Sequence, residues 1–227
     1  MKLFLSPFKP FTYLTTLTVL ILLIPLGRFY VGDGHDWTFL GGCTLTGLFA
    51  LAGAQWAALN QLGASYGKWI KSSTLTASTT AVLLGLPTAA SSIFNQLKNP
   101  YYQAYDLFLF TNEADIPWID TNGDPYFVSH AAQDTQSIAL TATIHVAFFF
   151  VASIAGVALG LACASFGAPR AVGMALITLL IAAALCWTIT STASFSHTAT
   201  FIGVGVAGLI TVTISAVTLI NTKHFVA

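Results

Sequence analysis

The sequence predicts an all-α, polytopic membrane protein with six transmembrane helices, both termini cytoplasmic and one long extracytoplasmic loop. Three observations lead there. Hydrophobic residues make up 56% of the chain and charged residues 7%, with mean hydropathy +0.78, whereas a soluble domain carries roughly a quarter charged residues. The apolar residues fall into runs long enough to cross hydrocarbon. One long polar segment, 96–136, divides those runs into two halves and holds Asp106, Glu113, Asp115, Asp120, Asp124 and Asp134. A segment that polar stands in water unless its backbone groups are buried in protein.

In chain order, the first expected span is 11–28. It follows a start carrying Lys2 and Lys9, is long enough to cross the bilayer and ends at Arg28 without a small-x-small cleavage site, so it reads as retained. A short connection with Asp33, His35 and Asp36 leads to a second span, 37–59, whose Gly41, Gly42, Gly47, Ala50 and Ala54 would admit a close helix neighbour. The polar stretch 60–74 carries Lys68 and Lys71, with the amphipathic Trp69 between them. A third span, 75–94, contains Gly85 and Pro87, and the proline needs neighbouring helices or hydroxyls to compensate its lost hydrogen bond. After the loop come spans 138–166, 171–189 and 199–220, with a turn at 167–170 and a Ser/Thr-rich connection containing His197.

Charge sets the direction. With the N-terminus inside, Lys2, Lys9, Lys68, Lys71, Arg170 and Lys223 are cytoplasmic, only Arg28 and Lys98 of the basic residues are outside, and all the acids are outside. That is the positive-inside pattern of a multi-pass plasma-membrane protein.

Net charge is zero, so nothing favours a nucleic-acid partner. Cys43, Cys163 and Cys186 lie in apolar runs without C-x-x-C spacing and read as small buried residues. No phosphate loop or H-E-x-x-H occurs, and the chain is expected to be no enzyme and to hold no cofactor itself. The spans carry no carboxylate or lysine, against a proton-coupled relay within them. His145, just ahead of Phe148, Phe149 and Phe150, is the ionisable group within a span; it reads either as a haem or metal ligand or as a hydrogen-bonded packing histidine. Asp120, Asn122 and Asp124 have the alternating oxygens of a calcium loop's start, but Pro125 and Ala131 stand where its glycine and glutamate belong, and Asn122-Gly123 is also a turn signal. The loop's aromatics, among them Tyr101, Tyr102, Tyr105, Phe108, Phe110 and Trp118, suggest a small cap folded onto the membrane or a partner.

The stretch Ala-Leu-Ala-Gly-Ala-Gln55-Trp56 at the end of a span, followed by Gly63-Ala-Ser-Tyr66-Gly-Lys68-Trp69-Ile-Lys71 and another span, resembles type-2 ATP-binding-cassette exporter permeases. In that family a cytoplasmic segment between spans two and three docks on a separate ATPase. The stretch Gly160 to Ala175, through Pro169 and Arg170, is similar to the family's second inner turn. The resemblance implies a permease subunit exporting an apolar or amphipathic substrate, since no polar cluster was legible along a span. It implies ATP bound by a cytoplasmic ATPase partner, a second identical or related permease subunit paired through small-residue faces, and Tyr66, Lys68, Trp69 and Lys71 as ATPase contacts. The alternatives are a non-transporting accessory subunit of a larger membrane complex, the substrate-binding membrane subunit of a vitamin-type uptake transporter, or a haem carrier centred on His145.

Overall fold

The computed structural model describes residues 2–6, 10–31, 34–99, 102, 106–110, 118–119, 125–126 and 133–173, with single positions at 176, 203, 205, 208 and 210. Among these the chain is helical: α1 (Lys2–Leu5), α2 (Pro10–Val31), α3 (Gly34–Ala54), α4 (Trp56–Gln61), α5 (Tyr66–Lys98) and α6 (Thr135–Phe166). A two-stranded antiparallel pair in the loop, β1 (Trp118–Ile119) with β2 (Pro125–Tyr126), is the exception, matching Trp118 with Tyr126 and Ile119 with Pro125.

Among the described residues four helical segments are long and apolar enough to cross a membrane: Phe11–Tyr30, His35–Gln61, Tyr66–Lys98 and Thr135–Phe166. They correspond to the first four expected spans, and the chain is a membrane protein. The expected spans 171–189 and 199–220 lie outside the described residues except for a few helical positions.

The surface of these helices is what hydrocarbon requires. On α2, Phe11, Leu14, Val19, Leu22, Leu23 and Leu26 are exposed, and on α5 so are Leu75, Val82, Leu83 and Leu86. The opposite side of α5 buries Ser72, Ser73, Thr76, Thr80, Thr88 and Ser92. Thr76 and Thr88 donate to the carbonyls of Ser72 and Leu84 at 2.8 and 2.7 Å, so these hydroxyls enter the interior already partnered. Pro87 sits within α5 without ending it.

Helix approach is closest where side chains are smallest. A Cβ on Gly160 would stand 2.2 Å from the Ala50 carbonyl oxygen, and one on Gly156 2.4 Å from that of Thr46. Gly156 and Gly160 form a small-xxx-small face on α6 that lets α3 lie against it, and Thr46 Oγ1 donates across the contact to the Ala152 carbonyl at 3.0 Å. By contrast no described residue lies within 4 Å of a Cβ on Gly47. Helix α6 also packs on α5, and α5 on α2.

Three boundaries correct the sequence reading. The third helix starts at Tyr66, so Lys68, Trp69 and Lys71 are helical and not part of an open connection. The connection before it is a helix-ending turn in which Ala64 N–H donates to Leu59 O and Gly63 N–H to Asn60 O, with Gly63 at φ 82°. The expected turn at 167–170 reduces to Gly167, also at φ 82°, after which 168–173 is helical. Cys43 is exposed instead of buried, Cys163 is half-buried, and both are free thiols; Cys186 lies outside the described residues.

Candidate functional site: a buried arginine cluster

The two ends of the bundle differ in chemistry. At one end, Arg28 comes three residues before the end of α2 and is fully buried. A buried guanidinium costs several kcal/mol unless it is paired and hydrogen-bonded, and this one is both. Nη2 pairs with Oδ2 of Asp106, which is also fully buried. Nη1 donates to Thr38 Oγ1 at 2.6 Å and to His145 Nε2 at 2.9 Å, and Nε donates to the Tyr102 hydroxyl at 3.3 Å. The Arg28 carbonyl accepts from Asn95 Nδ2 at 3.0 Å. Helices α2, α3, α5 and α6 thus converge on one cation.

Asp106 arrives from the long loop. Its Oδ1 accepts the Phe108 N–H at 3.1 Å and its carbonyl accepts the Leu109 N–H at 3.2 Å, which closes a tight turn stabilised by its own side chain. That turn drives Phe108 and Leu109 into the protein, both almost fully buried. Phe108 lies edge-on to Phe39 and Phe148 and beside His145, at ring-centre distances of 5.4, 4.9 and 5.4 Å. Phe110 N–H donates to Thr141 Oγ1 at 2.9 Å. Burial pushes the Tyr102 phenol above its ordinary pKa, the Asp106 charge adds to the rise, and Arg28 with two hydrogen bonds opposes it. The phenol is therefore neutral at physiological pH.

His145 is fully buried, and both ring nitrogens are engaged. Nδ1 lies 2.8 Å from the Thr141 carbonyl oxygen, which can only accept, so Nδ1 carries the proton. Nε2 then accepts from Arg28, with the Ser92 hydroxyl at 3.4 Å. A haem iron or metal at Nε2 would have to displace Arg28, and among the described residues no group of three or more His, Cys, Asp or Glu gathers to hold a metal. Asp120, Asn122, Asp124 and His197 lie outside the described residues.

At the other end an aromatic cluster closes the bundle. Trp69 is fully buried against Phe4 and Trp56, with ring centres 5.6 and 5.0 Å away, and Tyr66 lies edge-on to Trp56 at 5.3 Å. Phe4 N–H donates to Ser72 Oγ at 3.0 Å, which fastens α1 to α5. Lys68 and Lys71 are exposed on the same turns. Of the residues expected to meet an ATPase, then, the lysines present their side chains outward, Tyr66 does so in part, and Trp69 is core. Its Nε1 and the Tyr66 hydroxyl have no hydrogen-bond partner among the described residues.

Sequence reading missed Arg28, Asp106 and Tyr102 as members of one site. Arg28 was assigned to an outer connection and Asp106 to a solvated loop. The signal for Asp106 was present: an acid followed directly by Leu107-Phe-Leu-Phe110 inside a polar stretch is poorly suited to open water. The expectation that no polar cluster lines the spans is also corrected, by the hydroxyl face of α5 and by Arg28. No protein-family model, curated protein or solved structure matches the chain.

Proposed function

We propose that the chain is the membrane permease subunit of an ATP-binding-cassette exporter, driven by a separate cytoplasmic ATPase. The observation that carries this reading is the construction of the lysine end. Lys68 and Lys71 stand exposed on the first turns of α5, while Trp69 between them is locked into the aromatic cluster with Phe4 and Trp56. A coupling element needs both properties: a surface that a partner can push, and a rigid connection to a helix that carries the push through the membrane. Helix α5 continues from those lysines to Ser92 and Asn95, which touch His145 and Arg28. In this reading the lysine end and both termini are cytoplasmic, which the positive-inside distribution of the basic residues favours.

A second reading, a non-transporting accessory subunit, is favoured by the use of the glycine faces. Apart from Gly47, the small residues of α3 that would pair two permease subunits are already packed against neighbouring helices of the same chain, chiefly α6.

Purification of the tagged full chain in mild detergent, with mass spectrometry of its companions, separates the two. The permease reading expects a soluble chain bearing a Walker phosphate loop, lost when Lys68 and Lys71 are both changed to alanine while the helical content is unchanged. Other membrane subunits without an ATPase would overturn it in favour of the accessory reading.

A further inference from the structure

We infer that His145 Nε2 is a proton-binding site that controls whether the loop turn Asp106–Phe110 stays fastened to the helices. The inference stands on the geometry of the arginine cluster and is independent of the ATPase-driven reading.

The ring is neutral in the fastened state because its partners allow nothing else. Nδ1 spends its proton on the Thr141 carbonyl, and Nε2 is the acceptor for Arg28 Nη1 at 2.9 Å. A guanidinium has no lone pair to offer. A proton added at Nε2 therefore sets N–H against N–H and places a second cation beside Arg28 in a fully buried site. Among the described residues the charged or titratable groups gathered there are Arg28 from α2 and Asp106 and Tyr102 from the loop, while α3 and α5 bring neutral groups, the Thr38 and Ser92 hydroxyls and the Asn95 amide. One carboxylate cannot neutralise two cations.

Relief comes from the part of the cluster that is not a membrane helix. Release of Asp106–Phe110 breaks the Arg28–Asp106 pair and the Phe110–Thr141 hydrogen bond and uncovers the ring now shielded by Phe108. Water then reaches both cations. The released state binds one more proton than the fastened one, so fastening weakens as pH falls.

Hydrogen–deuterium exchange of the full chain in lipid nanodiscs tests this. Each rate for the Phe108, Leu109 and Phe110 amides, all hydrogen-bonded in the fastened state, is divided by its intrinsic rate at the same pH. For one proton taken up on release, protection should fall as pH is lowered from 7.5 to 5.0, by at most about tenfold per pH unit. In His145→Gln, whose amide oxygen can accept from Arg28 but cannot titrate, protection should not change with pH. A fall that persists in His145→Gln would assign the effect to a group other than His145 and overturn the inference, as would flat protection in the wild-type chain. If His145→Gln loses protection along α6 and so is misfolded, imidazole 15N shifts of the wild-type chain decide. The His145 signal must pass from the Nδ1–H tautomer to imidazolium over the range in which the loop amides lose protection, and loss of protection without that passage overturns the proposal.

Discussion

Replacing Gly160 with alanine tests how the membrane helices are held together. The new Cβ would lie 2.2 Å from the Ala50 carbonyl oxygen, 2.7 Å from the Ala54 nitrogen and 2.8 Å from Gly53 Cα, all backbone atoms that no rotamer change can move. Ordinary contact begins at 3.4 Å, so α3 and α6 must part by about 1.2 Å at this level. Overpacking of that kind costs ~1–3 kcal/mol. A gap of about 1 Å also forfeits a quarter to a half of each dispersion contact along the seam, and it strains the Thr46–Ala152 hydrogen bond, worth about 0.6 kcal/mol in a membrane interior. Alanine returns ~0.5–1 kcal/mol of helix propensity. The net expectation is a loss of ~1–3 kcal/mol, measured by circular dichroism during SDS titration in mixed micelles. Gly47→Ala is the reference, because no described residue lies within 4 Å of a Cβ there, and it should be neutral or stabilising by up to about 1 kcal/mol. Equal stability of Gly160→Ala and wild type would refute the packing argument, since lipid offers apolar surface as readily as a neighbouring helix does.

Other consequences follow from the two helix ends. Asp134 caps α6, its carboxylate accepting the Ser137 N–H at 2.9 Å and the Ser137 hydroxyl; those hydrogen bonds hold its pKa below the usual aspartate value. A depressed carboxyl stabilises above its unfolded pKa and stops doing so as pH falls through the folded one. The first turn of α6 should therefore fray below about pH 4, and Asp134→Ala should fray it at neutral pH, read as faster exchange of the Ser137 and Ile138 amides. Phe4→Ala removes a buried ring packed 5.3 Å from Phe49 and 5.6 Å from Trp69. It should cost ~3–5 kcal/mol in the same SDS titration, with α1 becoming accessible to protease at the lysine end.

The membrane helices were legible because nothing but hydrocarbon solvent explains apolar runs this long with leucines outward and hydroxyls inward. Their ends were not. Helix α5 extends past the apolar run to Tyr66, and Lys68 and Lys71 looked like a connection only because polarity, not backbone conformation, marked the boundary. The Gly156-xxx-Gly160 face is readable from spacing alone, and of the small residues the second span offers, Gly41, Gly42, Ala50 and Ala54 meet neighbouring helices whereas Gly47 meets nothing among the described residues. The arginine cluster was the least accessible feature. Arg28 finds Asp106 across 78 residues and His145 across 117, and a single charge near a helix end gives no sign of whether it meets water or a buried carboxylate. For Trp69, amphipathic chemistry suits an interface as well as a core, and only the arrival of Phe4 and Trp56 decides for the core.

The buried Arg28–Asp106 pair, on which the loop's attachment depends, is tested most directly by a double-mutant cycle of Arg28→Met and Asp106→Leu, read as unfolding free energies in SDS titration. Removing one partner strands the other charge in the interior and should cost ~3–5 kcal/mol, or less where release of the loop lets water reach it; removing both strands neither. The two changes should therefore be coupled by at least ~2 kcal/mol, the double variant being more stable than the sum of the singles allows. Additivity within about 0.5 kcal/mol would show that the two charges do not meet, and would contradict the arginine cluster.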